Sequence, residues 1–267
     1  MKKLILFYLF ISASSFLFAQ DSTVKRSSSR DDRREEKRMK RDAIIKQEEE
    51  GVLAYRKQSV FGIQLRTNGY GVFYELGRPK SPRFTNLYLI ELTEIKHPKE
   101  DKITSSDGIF SNSYTIGKIN NFYQVKLGFG QQYIFGHKGN KNGVAIMGIY
   151  QAGLSVGLLR PYYLDINENG TQRAIKYDSK DSTAFLFGNT IGSSGFGKGW
   201  NELKMKPGIF VKTALRFDFG RYNEMVQALQ IGISAEAYSQ KIPQLVYNKQ
   251  KQLFFQGHIA FVFGRRK

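Results

Sequence analysis

Three side chains in the C-terminal half have the types that nucleophilic chemistry requires: Ser234, Glu236 and His258. A hydroxyl, a base that activates it and an acid that orients the base are the parts of an ester-cleaving triad. On neighbouring strands facing one interior, such a set would suit a hydrolase of lipid A or phospholipid. The plainer reading makes His258 one more hydrogen-bonding residue, because mid-strand depth keeps it from ester bonds near a membrane interface. A second candidate, Gly192-Ser193-Ser194-Gly195-Phe196-Gly197-Lys198-Gly199, approaches the phosphate-binding pattern G-x-x-x-x-G-K-[ST]. Gly199 stands where a magnesium-binding hydroxyl belongs and no helical period follows, so a flexible external loop with Trp200 at the lipid interface is expected. His97, His137 and His258 are scattered, whereas zinc takes three or four protein ligands. The absence of cysteine excludes thiol catalysis and thiolate metal sites. No catalytic, cofactor-binding or metal-ligating residue is therefore assigned.

The elements that carry these residues read as strands. Leu253 to Phe263 places Leu253, Phe255, Gly257, Ile259, Phe261 and Phe263 on one face, with Gln256 and His258 on the other. One greasy face and one mixed face over about 9–11 residues is the pattern of a tilted strand with lipid on one side. Seven earlier stretches repeat it, beginning near Phe61, Tyr70, Phe84, Tyr123, Val144, Ile209 and Leu229. Asn68-Gly69 marks a hairpin between the first two. Connections 79–83, 136–143 and 220–224 are short, whereas 96–121, 159–207 and 240–251 are long. With the N-terminus periplasmic, short inner turns and long outer loops follow, the tight first hairpin excepted. The expected fold class is all-β, an eight-stranded antiparallel transmembrane β-barrel with an N-terminal charged helical extension.

Eight strands enclose space for side chains only. The inward set predicts a lumenal polar network of Arg66, Glu75, Glu91, Lys126, Lys212, Arg216, Asp218 and Glu236, with opposite charges paired and no open pore. The long loops carry apolar residues beyond what solvated loops need, and Tyr114, Tyr162, Tyr163, Phe196 and Trp200 are candidates for external contacts.

Met1-Lys2-Lys3, an apolar run and Ala19 form a secretory leader over 1–19. Residues 20–57 are dense in alternating charge, with Glu36/Lys40 and Asp42/Lys46 at helical spacing, and are expected to be a periplasmic helix or tether. The barrel then spans 58–267. The net charge of +18 would suggest nucleic acid in a cytosolic chain. Here export argues against that, and the basic residues at strand ends (Arg78, Lys80, Arg83, Lys138, Lys141, Arg265, Arg266, Lys267) are expected to meet anionic headgroups.

The segments Phe18-Ala19-Gln20-Asp21, Thr67-Asn68-Gly69-Tyr70-Gly71, Lys96-His97-Pro98-Lys99-Glu100, 117–123 and 157–163 resemble those of a family of small outer-membrane β-barrel proteins of Bacteroidota. The likeness spans roughly Ser59 to the C-terminus. It is loosely akin to accessory barrels of the type IX secretion and barrel-assembly machineries and carries no assigned activity. It implies a structural or accessory role without catalysis. Implied partners are outer-membrane lipids and envelope-complex proteins, the latter met through the external loops or residues 21–57. The alternative is the lipid hydrolase.

Overall fold

Alternation decides which side of each ribbon turns inward, and in the computed structural model eight such ribbons close on one another. The structure describes residues 33–39, 55–103, 113–139, 142–168, 170–178, 180–221 and 223–267. The expected leader over 1–19 and most of the expected extension over 20–57 lie outside them; within 20–57, residues 33–39 are helical and exposed.

The barrel consists of β1 (Gln58–Arg66), β2 (Gly69–Pro79), β3 (Phe84–Ile95), β6 (Asn120–Gly136), β7 (Ala145–Pro161), β11 (Lys204–Asp218), β12 (Met225–Ile242) and β13 (Lys251–Arg266). Each pairs antiparallel with its predecessor among these eight, and β13 returns to β1 with Gln58 opposite Arg266 and Arg66 opposite His258. No barrel strand is left with an unpaired edge. The wall residues alternate as the period-two pattern requires: in β1, Val60, Gly62, Gln64 and Arg66 are buried while Phe61, Ile63 and Leu65 are exposed.

Five further strands lie at the long-loop end: β4 (Lys102–Ile103), β5 (Tyr114–Thr115), β8 (Tyr163–Glu168), β9 (Thr171–Lys176) and β10 (Thr190–Ser193). The first two form a small hairpin, and the others make a sheet in the order β10-β8-β9. A short helix, Ser182–Phe187, buries Phe185 with Leu164, Ile166 and Ile175. The stretch 159–207, read from sequence as a loop, is thus a folded module standing on extended strands. β7 continues to Pro161 and β11 begins at Lys204, with Lys204 opposite Leu159. The period-two signal fades there because Met205 and Lys204 are both exposed and no longer divide an apolar outside from a polar inside.

Rings as well as charges fill the lumen. Phe73 and Phe210 are fully buried, and each occupies the space over a glycine on a nearby strand. A Cβ on Gly62 would lie 2.3 Å from the Phe73 ring, and one on Gly128 would lie 2.7 Å from Phe210. These two glycines have a packing reason to lack a side chain.

Candidate functional site: a sealed ionic lumen beneath a folded loop module

Strand pairing brings inward residues that are distant in sequence into three levels along the barrel axis. At mid-height, Glu91 of β3 meets Lys126 Nζ at 2.9 Å, Lys212 Nζ at 2.9 Å and Arg66 Nη1 at 3.5 Å. Glu236 of β12 accepts from Arg66 Nη2 at 2.5 Å and also pairs with Lys126. Gln124 and Gln256 each donate to Glu236 at 2.5 Å. Three cations and two carboxylates therefore share one buried cluster. Lys212 also lies over the Phe73 ring at 4.6 Å and Lys126 over Phe210 at 5.3 Å, so the rings stabilise part of the cationic excess.

One level toward the short turns, Arg216 Nη2 donates to Glu75 Oε2 at 2.5 Å, and Gln230 Oε1 accepts from Arg216 Nε at 3.0 Å. At the short-turn end Asp218 pairs with Arg266 at 2.6 Å and Lys138 at 3.4 Å. Arg266 Nε also donates to Gln58 across the closing seam at 3.0 Å. Two residues expected at headgroups are therefore inside: Lys138 is 5% and Arg266 4% exposed. The reason is parity, since Arg266 continues the inward series Phe254, Gln256, His258, Ala260 and Val262, and β13 extends beyond Phe263. Burial pushes the Lys138 ammonium below its usual range, while Asp218 acts in the opposite direction.

All eight residues expected in the lumen lie there in the structure, each 8% exposed or less. The sequence reading missed Lys138, Arg266 and Tyr238. Tyr238 packs edge-on against Phe122 and Phe254 above the charged cluster and accepts from Gln124 at 2.5 Å. Inward parity would have found it. Higher still, segment 243–247 crosses the mouth: Ile119 N donates to Gln244 O at 2.8 Å and Val246 N to Gly117 O at 2.9 Å. Leu245 is buried there, and Lys118 pairs with Glu100 at 2.8 Å.

The Ser–His–Glu set is not assembled. His258 Nε2 meets Gln230 Nε2 at 3.3 Å, Ser234 Oγ accepts from Gln256 at 3.0 Å, and Glu236 is engaged by cations. Each strand supplies the right inward face, but the axial levels differ. The glycine-rich run 192–199 belongs partly to β10 and wraps Arg160. The Arg160 guanidinium lies 4.6 Å from the Phe196 ring centre, 5.0 Å from Trp200 and 5.8 Å from Tyr123, and it donates to Phe196 O. Of the external candidates, Trp200 and Phe196 thus share one cluster with Tyr123. Tyr162 and Tyr114 pack against the module core, and Tyr163 donates to Glu202 at 2.8 Å. Burial pushes the Tyr162 phenol up, and the hydrogen bond from Lys176 holds the Glu202 carboxyl below its usual range. Phe187, one of the apolar loop residues, and Tyr247, which the sequence reading did not single out, are among the more exposed aromatic residues at this end, at 79% and 66%.

No family model matches the chain, and no curated protein matches it. Among solved structures, the N-terminal β-barrel domain of Pseudomonas aeruginosa OprF aligns with a TM-score of 0.36 at 8% identity, covering 79% of this chain and 98% of that one. Neisserial surface protein A gives 0.36 at 10% identity, over 79% of this chain and 96% of that one. The attachment invasion locus protein Ail of Yersinia pestis gives 0.34 at 9%, over 80% and 100%.

Proposed function

We propose that this chain is an outer-membrane barrel with a structural, accessory role in a cell-envelope complex. The wall would face acyl chains, the lumen would conduct nothing, and the long-loop module would meet partners. One observation supports this reading above others: the interior is closed at every level by paired charges and packed rings while the outer wall is apolar. In β3 the outward series Phe84, Tyr88, Ile90 and Leu92 is exposed, interrupted by Asn86, which accepts a hydrogen bond from Gln131 of β6 at 3.0 Å, and Glu94 ends it. From Phe84 to Leu92, a rise of about 3.3 Å per residue at the usual tilt gives a band of roughly 20 Å, close to the apolar height of such barrels. A water-soluble protein would not expose so extensive an apolar belt.

The leader over 1–19 and the resemblance to small envelope barrels of Bacteroidota support export and this location. The exposed Phe187, Phe196 and Tyr247 offer the contact surface at the long-loop end. Residues 20–57 are a second candidate contact and lie largely outside the described residues. The hydrolase alternative has no geometry in its favour, because Ser234 and His258 are not hydrogen-bonded to each other.

Chemical crosslinking in intact outer membrane, followed by purification in mild detergent, tests the accessory role. Specific envelope proteins should co-purify and be lost on the double change Phe187→Ser/Tyr247→Ser. Recovery of the barrel alone would overturn the role. Steady conductance in a planar bilayer would overturn the sealed lumen.

A further inference from the structure

The outer wall is not evenly clad. Across β11, β12 and β13 the outward positions include Thr213, Ala235 and Gly257, which form the floor of a trough between higher side chains, while the Phe135 ring covers Gly148 on β7. The part nearer the short turns is an open depression of about 790 Å³, bounded by Phe84 and Phe135. The part nearer the long loops encloses about 480 Å³, bounded by Val211 and Phe255. Thr213 and Ile233 line both, so the two parts are continuous.

Gly257 is informative because packing does not demand it. A Cβ there would find Thr67 Cγ2 at 3.7 Å and Gly232 O at 3.9 Å, which is ordinary contact. Inward glycines such as Gly128 make room for a ring of this protein, whereas Gly257 leaves room on the outside. A recess in a wall that meets hydrocarbon is filled neither by water nor by nothing, since each lining atom left without a neighbour loses its dispersion contact.

Charge identifies the occupant. Above the trough, 241–251 (KIPQLVYNKQK) carries Lys241, Lys249 and Lys251 and no acidic residue. All three are exposed, and none has an ion-pair partner among the described residues. Lys251 has the same outward parity as Phe255, four residues or about 13 Å along β13. We infer that this trough is a binding site for a membrane lipid with an anionic, phosphorylated headgroup, its acyl chain lying along Ile233, Ala235 and Gly257 and its phosphate meeting Lys241, Lys249 and Lys251. A flexible chain can follow a concave floor of small residues. A second copy of a convex barrel would touch only the ridges. The inference rests on the wall facing acyl chains, as proposed above.

The test uses the full chain in phosphatidylcholine vesicles containing spin-labelled phosphatidic acid or spin-labelled phosphatidylcholine, with the motionally restricted fraction read by electron paramagnetic resonance. Phosphatidic acid should be held preferentially, by about fivefold or more. The triple change Lys241→Gln/Lys249→Gln/Lys251→Gln should bring the preference close to unity without altering insertion. The double change Ala235→Leu/Gly257→Leu, which fills the trough, should lower the number of restricted lipids of both kinds. An inserted, protease-protected barrel with no preference, or with one indifferent to both variants, would overturn the inference alone. Failure to insert at all would overturn the barrel reading beneath it. Dimer crosslinks through the Gly257 face would assign the trough to a second copy and also overturn the inference.

Discussion

Glu91 is the residue on which the lumen most depends, because it faces three cations where Glu75 faces Arg216 alone among the described ion pairs. Removing one partner from a buried ion cluster leaves an uncompensated charge, whereas removing a matched pair together is far milder. Glu91→Gln is therefore expected to destabilise the barrel by about 3–5 kcal/mol, and Glu75→Gln by less. Denaturant unfolding in lipid vesicles measures both, and equal losses would show that the shared cluster has no special weight. At the outer rim, Trp200 is the chain's only tryptophan and stacks at 5.7 Å on Tyr123 beside Arg160. Arg160→Met removes the cation from among three rings and the donor to Phe196 O. Its expected signature is a red-shifted tryptophan emission with the barrel's unfolding midpoint nearly unchanged. An unshifted spectrum would mean that Arg160 does not hold the 196–200 turn. Both expectations rest on residues visible in the sequence, but only Glu91 was singled out there. Arg160 lies at the end of β7, beyond the residues that the apolar–polar alternation marks.

At the scale of the element, the seam between β1 and β13 joins the first barrel strand to the last, and its register determines whether the sheet closes. Ile63 lies opposite Phe261 and Leu65 opposite Ile259, all facing outward. The native chain has no cysteine, so an introduced pair reports on this register without interference. Directly opposed residues have Cα atoms about 4.5–5.5 Å apart, within disulfide reach, and diagonal ones do not. Ile63→Cys/Phe261→Cys should therefore crosslink readily under oxidant, and the diagonal Ile63→Cys/Ile259→Cys poorly. The reverse order would contradict the closing register. Strand number, facing and order were legible in the sequence because each strand separates apolar from polar surroundings, which imprints a period of two. The ends were not legible. Beyond the apolar belt, β7, β11 and β12 keep their ladder hydrogen bonds while both faces meet protein or water, so composition no longer marks them. The β8–β10 sheet escaped for the same reason: its core is four buried residues, too few to set a recognisable period.

For the whole molecule, the sequence alone determined a closed all-β architecture and eight of the charged residues of its interior. Facing is a local property: a side chain's direction follows from its position in the ribbon, and eight inward charges could be named from parity. Only the tertiary structure decided which charges meet, because partners such as Arg66 and Glu236 lie 170 residues apart and their contact depends on the stagger of every intervening strand. Stagger also separated Ser234 from His258, brought Lys138 and Arg266 level with Asp218, and aligned small outward residues of three strands into one trough. A period of two records the side on which a residue lies but not its height along the axis. Height accumulates from register across the whole sheet, and for that reason the chemistry of the interior could be settled only in three dimensions.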